Sequence, residues 1–296
     1  CKRLCHYRQS RFRSSCADGC SKEVIIFAAI IVYQMVVHIP VGSCLAPFVQ
    51  VAAFFSLTSA APANRLIVPD GRPTLLINLS DCNGTIGGHS FPMRQFTMLV
   101  MGAHTLPVPY QLGSPARFVY IRFHPFGFNS LLGLHGSELI DKVVDVADFH
   151  RESYNSLLRR LRAETTEAER ISRVMEWLEQ RALKAHVPHD TVLHACRLIQ
   201  RTAGVKPIGE LCGSYNTYKQ LQRKFEHHVG LNAKLYARMV RFEAMMEAIR
   251  QQPQVDWFDL IARFNFHDQS HLIKEFKQFA GETPTSFLES GIEKFV

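Results

Sequence analysis

The segment from Asp268 to Pro284 favours one local structure, a short capped helix with a single narrow apolar face. Asp268 supplies a carboxylate that accepts the free amide hydrogens of a first helical turn, so the helix begins there. Leu272, Phe276 and Phe279 recur at spacings of four and three and form the apolar face. Gln269, Ser270, His271, Lys274 and Lys277 fall mostly off that face. Gly281 suits the left-handed conformation that closes a helix, and Pro284 prevents its continuation. Upstream, Trp257, Leu260, Ile261 and Phe264 mark an amphipathic partner helix, leaving Asn265-Phe266-His267 as the turn. Helix, tight turn and capped polar helix in this order make a helix-turn-helix. Gln, Ser and His on the polar face offer hydrogen bonds to base edges, and the lysines offer charge to phosphates.

A helix with one polar side is usually only a solvated helix, so the weight falls on whether the design recurs. Asp268-Gln269-Ser270-His271-Leu272, then Lys274, Phe276-Lys277 and Gly281-Glu282-Thr283-Pro284, resemble the AraC/XylS family of transcription regulators. The second helix-turn-helix of that family commonly reads D-Q-S-H-[LF]-x-[RK]-x-F-[KR] and then G-x-T-P. The resemblance implies a bacterial regulator in which two such motifs flank one long helix. A single subunit then touches two successive major-groove segments of duplex DNA.

The first motif is expected at Ile208 to Phe225, followed by Val229-Gly230-Leu231. Thr217 and Gln220 form a capping-box pair, and Leu221 and Phe225 repeat the four-residue apolar spacing. Tyr218, Lys219 and Gln222 then face solvent or bases, with Arg223 near the DNA backbone. The segment Leu211 to Asn216 is shorter than the family's usual first helix and turn. Between the motifs, Asn232 caps a helix running to about Arg250, with a core-facing stripe of Leu235, Met239, Phe242, Met246 and Ile249. Arg238 and Arg241, alongside that stripe, are expected at phosphates. Gln251-Gln252-Pro253-Gln254 then breaks the helix.

A chain of 296 residues with 47% hydrophobic content is long enough for two modest domains with real cores. The net charge of +8 favours a polyanionic partner, yet residues 1–34 hold six Lys/Arg against two Asp/Glu. About half of the surplus therefore sits in a leader and says little about DNA. That leader carries Cys1, Cys5, Cys16 and Cys20 and runs into an apolar stretch from Val24 to Val37. The stretch is shorter than the roughly twenty residues of a spanning helix, and the cysteine spacings are not those of common zinc modules. A third reading takes Met35 as the natural start, with residues 1–34 outside any folded domain. Cys44, Cys82, Cys196 and Cys212 share no metal or redox spacing and suit a reducing cytoplasm.

From about Cys44 to Val146 the pattern is short and extended. Phe48 to Leu57, Arg65 to Val68, Thr74 to Leu79, Phe96 to Met101 and Phe118 to Phe123 read as strands. Pro69-Asp70-Gly71 and Cys82-Asn83-Gly84 read as turns, spaced to suit a closed or sandwiched antiparallel sheet. Leu66 to Gly71, Leu75 to Leu79, Val119 to Gly127 and Glu138 to Asp145 resemble the sensor domain of one AraC subgroup. That resemblance implies a small cupin-like β-barrel that senses an effector. Many cupins hold a metal, which makes His89, His104, His124 and His135 candidates, but none lies in an H-x-H pair with a suitably placed Glu. Nucleophile elbows and phosphate-binding glycine loops are absent from the sequence. Asp70, Arg122 and His124 are candidate effector ligands. Against that, Asp70 is explained by its turn and Arg122 by an outward strand position.

Residues 149–202 change to helical spacing, in three amphipathic segments at Leu157 to Leu161, Ile171 to Leu178 and Val192 to Ile199. They read either as a dimerisation or signal-transmitting connector, or as an extension of the sensor's core. The chain is thus expected to be α+β: leader 1–34, β-rich cupin-like sensor 35–148, helical connector 149–202, and an all-α domain 203–291 with two helix-turn-helix motifs. Its expected role is sequence-specific DNA binding in the cytoplasm without a cofactor, catalysis or membrane. RNA polymerase, a small effector and a second copy of the chain are the further partners. The alternative is a cupin-type metal enzyme or ligand-binding protein with a degenerate DNA-binding tail.

Overall fold

The computed structural model describes residues 34–58, 65–87, 89–149, 151–187, 190–211, 215–252 and 254–290. The leader, with Cys1, Cys5, Cys16 and Cys20, lies outside them apart from Gln34, and so does Cys212.

The N-terminal half holds β1 (Gln34–His38), β2 (Val49–Leu57), β3 (Arg65–Ile67), β4 (Thr74–Asn78) and β5 (Cys82–Ile86). It continues with β6 (His89–Met93), β7 (Met98–Met101), β8 (Val108–Leu112), β9 (Ala116–Phe123) and β10 (Val143–Asp145). The described strands form two antiparallel sheets, ordered β1-β2-β9-β4-β7-β10 and β3-β8-β5-β6. The β-rich domain that the sequence reading expects as a sensor forms two stacked sheets rather than a closed barrel.

Side chains alternate across a strand, and here both faces of the larger sheet are covered. On one face Phe54, Leu75, Ile77, Val100, Val119 and Ile121 pack under helices. On the other, Phe55, Leu57, Leu99, Met101 and Phe118 meet Ile86, Val108, Tyr110 and Leu112 of the smaller sheet. Burial on both faces explains continuous apolar runs such as Ala52-Ala53-Phe54-Phe55 where alternation would otherwise be expected. Cys82-Asn83-Gly84, expected as a turn, is instead β5, paired through Cys82 to Met93 and Gly84 to Phe91. The chain reverses at Gly87, whose φ of 63° is left-handed.

The helices are α1 (Gly127–Leu132), α2 (Arg151–Ala163), α3 (Glu167–Ala182) and α4 (Asp190–Arg201). Thr166 and Glu169 form a reciprocal capping box that starts α3. Leu157, Leu161, Val174, Trp177 and Leu178 of α2 and α3 cover the larger sheet, whereas Val192, Ala195, Cys196 and Ile199 of α4 join the C-terminal core. The helical stretch expected as one connector is therefore shared between the two halves.

A 3-10 turn (Ile208–Leu211) leads to α5 (Tyr215–Val229), α6 (Ala233–Arg250), α7 (Trp257–Arg263), α8 (Gln269–Phe279) and α9 (Pro284–Ser290). Asn232 caps α6 by accepting from the Leu235 amide at 2.8 Å. The expected stripe of α6 is buried at Met239, Phe242, Met246 and Ile249, but Tyr236, Val240 and Met245 are buried as well. For Tyr236 the cause is the β-rich half, which covers a second side of α6: a Cβ placed on Gly71 would come within 2.6 Å of the Tyr236 ring. Among the described residues, no helix is long and apolar enough to cross a membrane.

Candidate nucleic-acid interface and the cavity beside it

The second helix-turn-helix is α7 and α8. Asp256 starts α7 by accepting from the amides of Phe258 and Asp259. Asn265, with a φ of 53°, turns the chain. Asp268 then caps α8, its carboxylate accepting from the His271 amide at 2.7 Å. The His267 side chain and the His271 amide hold that carboxyl below its ordinary range. Leu272, Phe276 and Phe279 point inward, where Phe276 meets Phe242, Trp257 and Phe287 edge to face at 5.1–5.6 Å. Gln269, Ser270, Lys274 and Lys277 are exposed on the opposite side. His271 is only partly exposed; its ring lies 5.3 Å from that of Phe266, and its Nδ1 accepts from the His267 amide.

In the first unit α5 carries Thr217, Lys219, Gln220 and Arg223 on an exposed face, over a buried Leu221 and Phe225. Thr217, expected as a cap, sits inside the helix because α5 begins no later than Tyr215. The expected short first helix is a four-residue 3-10 turn. Tyr218 is half-buried against the core, and its hydroxyl accepts from Gln222 Nε2 at 3.0 Å. The far end of α5 is docked on the sensor. Gly136 and Gly230 meet backbone to backbone, and the rings of His135 and His227 lie 5.1 Å apart.

The rod α6 has 18 residues, so it is roughly 27 Å long at about 1.5 Å per residue. Arg238 and Arg241, expected at phosphates, are turned towards the second unit. Arg238 donates to Glu275 at 2.7 Å and to Gln278. Arg241 is only 9% exposed, stacks on Phe266 at 4.5 Å, and lies 3.6 Å from Glu275. Together they pin α8 to the rod through a buried carboxylate. Glu275 escaped the sequence reading, although its place between Leu272 and Phe279 on the apolar face was a signal: a charge there needs a partner.

A cavity of about 130 Å³ lies where the two sheets meet α6. Its walls are apolar at Phe55, Ile67, Leu76, Ile86 and Met246. At its polar side Glu243 Oε1 accepts from Arg72 Nη1 at 2.8 Å and Arg122 Nη2 at 3.1 Å, and Asp70 also pairs with Arg122. Arg122 is thus 4% exposed and faces inward, in the same phase as Phe118 and Tyr120, contrary to the outward reading. Asp70 serves both its turn, accepting from the Arg72 amide at 2.8 Å, and the cluster. His124 does not line the cavity; His104 does, and burial lowers its imidazole below the ordinary range. Burial alone would raise the Glu243 carboxyl, but the two guanidinium groups outweigh it and hold it below the usual value. Arg72 and Glu243 were not singled out from the sequence. Glu243 lies on the core-facing phase between Met239 and Met246, the same signal that Glu275 gives.

Residues 216–290 match a helix-turn-helix domain, and residues 38–145 match a domain of unknown function, DUF6597. No curated protein matches the chain. Among solved structures it is similar to ToxT from Vibrio cholerae in two crystal structures. One has 12% identity, covering 80% of this chain and 97% of that one with a TM-score of 0.40. The other, from strain O395, has 12% identity, covering 82% and 98% with a TM-score of 0.39. The exposed polar faces of α5 and α8, at either end of one rod, fall within the matched helix-turn-helix domain, and the chain is a DNA-binding transcription regulator that carries that domain in its C-terminal part.

Proposed function

We propose that α5 and α8 enter successive major-groove segments of one duplex, and that a small molecule in the cavity between the sheets and α6 modulates this binding. The observation that carries the reading is the pair of solvent-facing polar surfaces, Lys219 with Arg223 and Gln269-Ser270 with Lys274, on helices joined by a rod buried on several sides. Gln269, Ser270 and Lys219 read bases in this account, and Arg223 and Lys274 hold phosphates. Tyr218, Gln222 and His271 set the surface of their helices, while Arg238 and Arg241 reach DNA chiefly by orienting α8. Control of the sensor over α5 has a route, because the Gly136–Gly230 contact joins them directly. The protein acts in the cytoplasm as a regulator without a catalytic step, with RNA polymerase and a second copy of the chain as further partners. Gel-shift titration of wild type and Gln269→Ala on a selected site and on single-base variants tests it. Gln269→Ala should lose discrimination at one position; an equal loss on every sequence would rule out base reading by Gln269.

A further inference from the structure

Glu243 sits on the rod, yet its carboxylate occupies the guanidinium pair of the sensor's cavity. One oxygen, Oε1, is shared between Arg72 and Arg122, and among the described residues the Nε atoms of both arginines have no hydrogen-bond partner. Their side chains are only 6% and 5% exposed, so water is a poor substitute. A guanidinium offers five donors in a planar fork that matches a two-oxygen acid, and one shared oxygen leaves much of that capacity unused. Most of the remaining wall is apolar, with Thr74, His104, Tyr110, Tyr120 and Arg250 as its further polar members, and at about 130 Å³ the cavity is on the scale of those that accept a benzene-sized guest. Asp70 is held by its own turn within the β-rich half, whereas Glu243 comes from α6 of the helical half.

We infer that Glu243 is an internal stand-in for the acid group of the effector: an amphipathic monoanion enters the cavity, takes the Arg72–Arg122 pair from Glu243, and so uncouples α6 from the sensor. The inference rests on the proposal that this cavity is the effector site. The exchange replaces one negative charge with another, so the buried cluster stays balanced at every stage. The apolar body of the ligand fills the space between Leu76, Ile86 and Met246, and Glu243 swings with the rod towards solvent. The state with Glu243 in place is the docked one, and the liganded state is the one whose reading helices are free of the sensor.

Calorimetric titration of the full chain with two matched pairs, phenylacetate with 2-phenylethanol and octanoate with octan-1-ol, tests the inference, alongside gel shifts with each. Wild type should bind the acid of at least one pair about tenfold more tightly than its alcohol, as a buried charge-assisted contact requires. Glu243→Gln should bind that acid several-fold more tightly than wild type, and without ligand should have the DNA affinity of acid-saturated wild type. Arg122→Met should lose the acid preference; if it fails to fold, Glu243→Gln carries the test alone. Equal binding of acid and alcohol, both shifting DNA affinity, would overturn the stand-in role and leave the effector site intact. No binding by any of the four and no change in DNA affinity would overturn the effector reading as well.

Discussion

The two helix-turn-helix units reach similar exposed faces by different means. The second is held largely within its own domain: an Asp268 cap, an aromatic core around Phe276, and the buried Glu275 tie α8 to its neighbours, while Gly281 just past its end faces Pro107 of the β-rich half. Among the described residues the first shows a four-residue 3-10 turn ahead of α5, and the end of α5 rests on the β-rich half at Gly136 and His135. A unit fixed by its own core keeps its geometry whatever the sensor does, while a unit fixed by docking changes when the dock changes. In the proposed reading the second unit is the anchor on DNA, and the first is the one placed to respond.

Substitutions separate these roles. The largest expected effect is from Glu275→Ala, which leaves Arg238 and Arg241 without their buried partner and should cost about 3 kcal/mol or more in thermal unfolding. DNA affinity should fall with it, and contacts of the second unit should be lost first in a footprint; survival of those contacts would show that the anchor does not depend on this brace. Gly136→Ala acts on the other unit. Its Cβ would lie 2.7 Å from the Val229 carbonyl oxygen, backbone that has little room to yield, and the strain should be about 1–3 kcal/mol. Protection by the first unit should weaken with that of the second unchanged, and equal loss of both would break the distinction. Lys274→Ala should weaken binding to all sequences by roughly one phosphate contact, lowering the salt slope by about 1.

The smallest effect at neutral pH concerns the dock. Glu243 has a depressed pKa in the folded state, so its contribution is complete above the unfolded value of about 4.3 and is lost as pH falls through the lower folded value. Hydrogen exchange of α6 should therefore rise on acidification through that range in wild type and much less in Glu243→Gln. An identical acid response in both would remove Glu243 from the dock.

Much of this molecule was legible in its residues because caps and apolar spacing are local. Asp268, Asn232 and Gly281 mark boundaries by chemistry confined to one turn, and the structure places them as expected. What escaped depended on which surfaces meet. Cys82-Asn83-Gly84 reads as a turn by composition, yet pairing on both sides, with β6 and β8, makes it a strand. Arg122 reads as outward until the second sheet is known to cover that face. Glu243 and Glu275 occupy apolar-phase positions, where a carboxylate signals a distant cation that no local pattern identifies. The tight Gly136–Gly230 contact is invisible in sequence because its two glycines are far apart and neither motif requires them to touch.

Selection of bound sequences from random duplex DNA by the full chain tests the central claim most directly. The account predicts two preferred segments about 10–10.5 base pairs apart, one turn of the double helix, with Gln269→Ala relaxing only one of them. Recovery of a single segment, or of two whose spacing varies freely, would contradict two reading helices held by one rod.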